Sequence, residues 1–265
     1  MSRKIAIIGG GNLGISIAEG LLADGFTDAP NITVTRRNIS LLQPLSEKGI
    51  RISSDNMQAV NDSEVVLLAV KPFQIRDIIR EIAPGIGKNH MLISVVTGIS
   101  LQDLLTDLPV GTPVFRAMPN TAIAIRESMT CISYTQAGKE QIAWVINLFN
   151  QLGRVALIDE KLMDAATVLG ACGTAYAMRY IRANIQGGIE IGFDAATASL
   201  IAAQTVKGAA ELLLQKGTHP EYEIDKVTTP KGCTIAGLNE MEHQGFSSSL
   251  IKGITASFIK IKKEQ

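Results

Sequence analysis

The chain has 265 residues, 46% hydrophobic and 5% aromatic, with 25 basic side chains against 25 acidic ones. That length supports one large domain or two modest ones around a core of small aliphatic side chains. The balanced charge argues against a nucleic acid or a membrane surface as partner, since both need a basic face, and leaves a small anionic ligand open.

The opening stretch MSRKIAIIGGG pairs a charged head with a short apolar run, but glycines break the run before it reaches signal-peptide length. No segment is long enough to span a membrane. Cys131, Cys172 and Cys233 are scattered, with no CxxC and no cysteine/histidine cluster. They read as free thiols of a reducing compartment, and no metal site is expected. The expectation is a soluble cytoplasmic protein, in which the sequons at Asn31, Asn38 and Asn61 carry no meaning.

Up to Asp159, short Val- and Ile-rich runs alternate with amphipathic ones. Strands are predicted at 4–8, 32–35, 64–70, 91–96, 113–118 and 154–158, with helices at 13–24 and 74–82 between them. Several runs are apolar on both faces, as central parallel strands are. The alternation predicts βαβ units and a parallel sheet covered on both sides. Beyond Asp159 the strand-like runs stop, and helical segments rich in Ala, Leu and Ile follow at roughly 160–190, 194–216 and 247–263. Asp194 and Ser247 are the expected N-caps, and Gly192 and Gly217 the expected stops. The fold class is therefore α/β, with an N-terminal dinucleotide-binding domain over 1–159 and a C-terminal helical domain over 160–265. Small residues at 165–177 and 195–210 predict closely packed helices, in an intertwined dimer or a tight monomeric bundle.

Gly9-x-Gly11-x-x-Gly14 directly follows the first predicted strand and opens a helix. In that context the glycines serve a tight turn, a close approach to a pyrophosphate, and helix–strand packing. The helix N-terminus supplies free N–H groups for the phosphates. The second strand ends in TVTRRN, without the carboxylate that usually receives the ribose hydroxyls of NAD. Arg36 and Arg37 stand there instead, and a guanidinium pairs with a 2′-phosphate, so NADP is favoured over NAD. Lys71-Pro72 and Met118-Pro119-Asn120-Thr121 follow later strands, at the strand ends where ligands of open α/β sheets bind.

The late stretch VTTPKGCTIAGL, Val227–Leu238, interrupts a helical region with a proline and two glycines. Pro230 and Gly232 shape a turn, and the helix that follows points its free N–H groups and dipole at that turn. Such a corner can hold a carboxylate on backbone alone, or be an ordinary capped corner. Taken together, IIGGGNLG, LAVKP, RAMPNT, AAQTVKGAAELLL, TTPKGCTIAGL and MEHQGF resemble, in order and spacing, the pyrroline-5-carboxylate reductases. The resemblance covers essentially the whole chain, and its late motif is the most specific part.

This resemblance implies a Rossmann domain, a helical dimerisation domain in a homodimer or larger homo-oligomer, and NADPH-dependent reduction of 1-pyrroline-5-carboxylate to L-proline. It implies a nucleotide site at Gly9, Gly11, Asn12, Leu13, Gly14, Arg36, Arg37, Asn56, Ala69, Val70, Lys71, Pro72, Met118, Asn120 and Thr121. It implies a substrate site at Val227, Gly232, Cys233 and Thr234, with the Thr234 hydroxyl reaching the ring nitrogen. Two departures bear on the substrate. The family's Ser-Gly-Ser-Gly-Pro-Ala-Tyr segment reads Gly170-Ala171-Cys172-Gly173-Thr174-Ala175-Tyr176, and the first glycine of the late pair is Lys231. A reductase of another cyclic or acyclic imine and a non-catalytic NADPH-binding paralogue are the alternatives. A β-hydroxyacid dehydrogenase is disfavoured because VLGACGTAYAMRY, 168–180, holds no lysine.

Overall fold

A computed structural model of the chain describes residues 3–264. Two compact units divide it, one running to Cys172 and the other Gly173–Glu264. The expected change at 159/160 marks the end of the strands. The following turns, 160–172, stay with the first unit because Met163, Thr167 and Val168 bury themselves against the sheet.

The first unit is built on one eight-stranded sheet. Its strands are β1 (Ile5–Ile8), β2 (Ile32–Thr35), β3 (Arg51–Ser53), β4 (Val65–Leu68), β5 (Met91–Ser94), β6 (Val114–Met118), β7 (Ser128–Thr135) and β8 (Gly153–Leu157). Its helices are α1 (Asn12–Ala23), α2 (Gln43–Glu47), α3 (Asn56–Asn61), α4 (Ile75–Ile82), α5 (Leu101–Leu105), α6 (Lys139–Asn150) and α7 (Met163–Ala166). The strand order is β3-β2-β1-β4-β5-β6-β7-β8. The chain moves outward from β1 through β2 to β3, then returns to the other side of β1 as β4. That reversal opens a crevice beyond the carboxyl ends of β1 and β4.

The apolar runs explain the layering. Ile5 and Ile7 enter one core with Ile17, Leu21, Leu148 and Phe149, while Ala6 and Ile8 enter another with Val60, Ile75 and Ile79. Alternate side chains leave opposite faces of a strand, so a strand covered on both sides must be apolar throughout.

Two strands lay outside the expected set, and one alters the parallel reading. β3 is three residues long. β7 interleaves Ser and Thr with its apolar residues, which hides its run. β6 and β7 pair antiparallel, Arg116 opposite Ser133, whereas β7 and β8 pair parallel. The link 119–127 is too short for the dozen or more residues of a parallel crossover, so the chain must turn back. The sheet is thus mostly parallel, with β7 and β8 reversed.

The second unit is helical: α8 (Gly173–Glu190), α9 (Ala195–Lys216), α10 (Pro220–Lys226), α11 (Cys233–His243) and α12 (Phe246–Glu264). Asp194 caps α9, accepting from the Ala196 and Thr197 N–H groups at 3.0 Å each. The Thr197 hydroxyl first, and then these backbone bonds, hold its carboxyl below the usual range. Gly217 ends α9 at φ 62°, as expected. Ser247 is not a cap: α12 begins at Phe246, after Gly245 at φ 78°, and the Ser247 hydroxyl donates to Glu242 at 2.6 Å. Gly188 meets Ala198 closely enough that an added Cβ would stand 3.1 Å from the Ala198 Cβ. Tyr176 and Ser257 join α8 to α12 through a 2.6 Å hydroxyl–hydroxyl bond.

This unit buries little of its own. Ala198 and Ala202 are its buried hydrophobic residues, while Ile191, Leu200 and Ile251 are 78%, 71% and 62% exposed. Apolar surface on that scale marks an association face. No described helix is long and apolar enough to cross a membrane.

Gly153, at φ 142°, begins β8 so close to β7 that a Cβ would overlap the Ser128 backbone. Gly153→Ala should lower unfolding stability by more than about 2 kcal/mol. Gly87→Ala, whose Cβ would stand 3.7 Å from His90, should change it little. Chemical denaturation of both variants checks this.

Candidate active site

A cleft of about 780 Å³ occupies the crevice at the reversal of strand order. Its floor is the glycine turn between β1 and α1. Gly9 takes φ 112°, and a Cβ there would stand 2.5 Å from the Ala69 carbonyl oxygen, so the turn presses on the end of β4. Gly14 packs beneath it, where a Cβ would overlap the Gly9 oxygen. Gly11 differs from both: an added Cβ would meet nothing within 4 Å. Protein packing does not demand a glycine there, whereas a ligand lying against the backbone would. Gly11 is also the N-cap of α1 and offers no side-chain cap, so the first N–H groups of α1 stay available beside it.

β2 holds the turn in place. The Thr35 carbonyl accepts from the Gly10 N–H at 2.7 Å and the Gly9 N–H at 3.2 Å. The next residue reaches back over the turn, with Arg36 Nη1 donating to the Gly10 carbonyl at 2.8 Å. Arg37 lies exposed beside it, and Lys71 lines the far wall after β4. Three cations therefore face one cleft, and none of its lining residues is acidic. The residues fit a dinucleotide that carries an additional phosphate on its ribose.

Of the sequence-derived nucleotide set, Gly9, Gly11, Asn12, Leu13, Arg36, Arg37, Asn56, Ala69, Val70, Lys71 and Pro72 line this cleft. Gly14 supports it from below. Met118, Asn120 and Thr121 do not line it. Met118 is buried behind Thr97, whose hydroxyl lies 3.9 Å from its sulfur. Thr121 is exposed on a short 3₁₀ turn. The Asn120 amide is bound into the fold: its Oδ1 accepts from the Ala122 N–H at 3.0 Å and its Nδ2 donates to the Gly170 carbonyl at 3.2 Å. Val95, Val96 and Thr97 line the cleft and lie outside the sequence-derived set. The strand-end rule applied to β4 and β6 finds them too, since they follow β5.

The late turn lies in the second unit. Pro230 and Lys231 lead to Gly232, the N-cap of α11, and no side chain caps that helix. Gly232 donates to the Thr229 carbonyl at 2.9 Å, and a Cβ on it would stand 2.5 Å from the Thr229 hydroxyl oxygen. Lys231 takes φ 60°, the left-handed conformation that a glycine adopts freely and other residues hold at a cost of roughly 1–2 kcal/mol. Its side chain is exposed, as is that of Cys233; Thr234 is half-buried at the start of α11, and Val227 is exposed at the end of α10. The altered segment straddles two elements: Gly170–Cys172 close a π-helical turn over Thr167–Cys172, and Gly173–Tyr176 open α8. Such turns cluster at functional sites.

Comparison with known proteins assigns both halves. Residues 4–98 match a model described as NADP oxidoreductase coenzyme F420-dependent, and residues 160–264 match pyrroline-5-carboxylate reductase dimerisation. Pyrroline-5-carboxylate reductase 2 of Dictyostelium discoideum is 45% identical over 280 residues, covering 100% of this chain and 94% of that protein. The chain belongs to the pyrroline-5-carboxylate reductase family. Reductase 1 of the same organism is 46% identical, and the chain spans about half (48%) of its length. The Coxiella burnetii reductase structure superposes with a TM-score of 0.94 at 28% identity, covering 99% of this chain and 98% of that one. A Plasmodium falciparum reductase with NADP bound shares the fold, with a TM-score of 0.85 at 23% identity, covering 98% and 97%. The family is one of oxidoreductases, and its helical dimerisation domain makes the protein a homo-oligomer.

The Asn120 bonds give a way to separate a structural role from a binding one. Asn120→Ala should cost about 1–2 kcal/mol of stability through the lost cap and the lost bond to the Gly170 carbonyl. Nucleotide affinity should stay within about twofold, as titration and thermal unfolding of the same preparation measure.

Proposed function

We propose that the protein reduces 1-pyrroline-5-carboxylate to L-proline, with NADPH preferred over NADH. The reaction rests on identity to a family member along the whole chain. The cofactor preference rests on the cleft, where Arg36, Arg37 and Lys71 stand and no acid does. A carboxylate there would repel the 2′-phosphate; a guanidinium pairs with it.

When bound, the nicotinamide supplies the hydride, and the protein supplies position and electrostatics. The glycine turn and the start of α1 receive the pyrophosphate. The substrate carboxylate is assigned to the uncapped N–H groups of Cys233 and Thr234, with Gly232, whose own N–H is bound to Thr229, letting it approach the backbone; the α11 dipole there favours an anion. The exposed Lys231 cation adds to that field. Thr234 directs its hydroxyl to the ring nitrogen, which enters already protonated or takes a proton from water as the hydride arrives and the C=N bond becomes C–N. A threonine hydroxyl is too weak an acid to be the proton source, so its part is orientation. Val227 stands at the edge of the same turn. A cytoplasmic setting suits the three free cysteines.

Following NADPH absorbance with 1-pyrroline-5-carboxylate tests the reading. Saturable turnover is expected. Thr234→Ala should lower kcat/KM by at least about tenfold, since a hydrogen bond to a charged or reacting group is lost. Arg36→Asp should weaken NADPH binding by about tenfold to a hundredfold and NADH binding much less. Unchanged preference in Arg36→Asp would refute the cofactor assignment, and NADPH binding without turnover would refute the reaction.

A further inference from the structure

Behind the cleft wall lies a polar chain that no motif reports. The Thr35 side chain is 1% exposed, so its hydroxyl must find a partner inside the protein, and it donates to Asn56 Oδ1 at 2.6 Å. The Asn56 Nδ2 in turn donates to both carboxylate oxygens of Glu81, at 3.1 and 3.2 Å. Glu81 lies on α4, Asn56 opens α3, and Thr35 ends β2.

The chemistry of Glu81 dictates the order. An ionised carboxylate only accepts, so the Asn56 NH₂ must face Glu81 and its oxygen must face Thr35. The Thr35 carbonyl then receives Gly9 and Gly10, and Gly10 receives Arg36. The chain runs Glu81, Asn56, Thr35, glycine turn, Arg36. Every member after Glu81 either lines the cleft or forms its floor. Glu81 itself does not line it; its carboxylate meets the cleft only through Asn56.

We propose that Glu81 is a positioning residue of the nucleotide site: it locks the Asn56 amide in one orientation and, through Thr35, steadies the glycine turn that receives the cofactor. The inference rests on the NADPH reading above. Glu81→Leu should raise Kd and KM for NADPH by about three- to tenfold, the worth of one or two hydrogen bonds, and leave kcat within about twofold. Glu81→Gln keeps an acceptor for Asn56 and should stay within about twofold of the parent in all three.

The test measures NADPH binding by fluorescence titration and steady-state kinetics for the parent, both Glu81 variants, Asn56→Ala and the double variant Asn56→Ala/Glu81→Leu. A locking role requires that Glu81→Leu add nothing once Asn56 is gone. Parent-like affinity in folded Glu81→Leu overturns the proposal, as does an equal loss in the Asn56→Ala background. Failure of the parent chain to bind NADPH removes the cofactor reading instead, and with it the basis for this role; the parent arm therefore tells the two failures apart. Glu81 is exposed, so the variants should fold, and thermal unfolding of each confirms it.

Discussion

The nucleotide cleft depends on one carbonyl. The Thr35 oxygen, at the end of β2, accepts from both Gly9 and Gly10 and so sets where the turn after β1 lies. From that placement follow the pressure of Gly9 on Ala69, the fit of Gly14 beneath, and the opening at Gly11. A turn lacking this anchor could relax away from the crevice, and the α1 N-terminus would no longer face it. Two hydrogen bonds worth roughly 1 kcal/mol each cannot impose such a geometry alone. They succeed because the sheet around them is close-packed, with β1, β4 and β5 buried along their whole lengths.

Much of this was legible in the sequence where a local rule had one outcome. KIAII before a glycine fingerprint leaves little besides a buried strand entering a phosphate turn, and TRRN declares the missing acid. Legibility failed where the outcome depended on partners distant in the chain. β7 presents Ser128, Thr130 and Ser133 as buried residues among its apolar ones, and nothing local in the sequence states that they lie inside. Its reversed direction follows from the length of the 119–127 link, which becomes informative only once β7 is known to be a strand.

The strand-end rule placed Asn120 beside the cofactor; the bond of its amide to the distant Gly170 is of a kind no local rule states. Glu81 meets Asn56 across 25 residues, and no spacing motif joins an α4 acid to an α3 amide. In the second unit the small residues of 195–210 did forecast a close helix, with Ala198 meeting Gly188, a residue outside the predicted stretches. Ser247 looked like a cap because serine is a favoured N-cap residue; Gly245, with its left-handed backbone, takes the bend instead, and the helix starts earlier, at Phe246.

The two units differ in kind. The first carries its own core, whereas the helices of the second leave Ile191, Leu200 and Ile251 uncovered for another copy. Recognition between copies is thus written in a different part of the chain from nucleotide recognition. A copy whose cleft is ruined, by an acid at Arg36 for instance, keeps every side chain it needs to pair. In a cell making both versions, the damaged copy would compete for healthy partners on equal terms, and half-competent assemblies would outnumber fully competent ones as soon as the two were made in similar amounts. A lesion in the helical faces would instead exclude its own product from assembly and leave the healthy copies to one another.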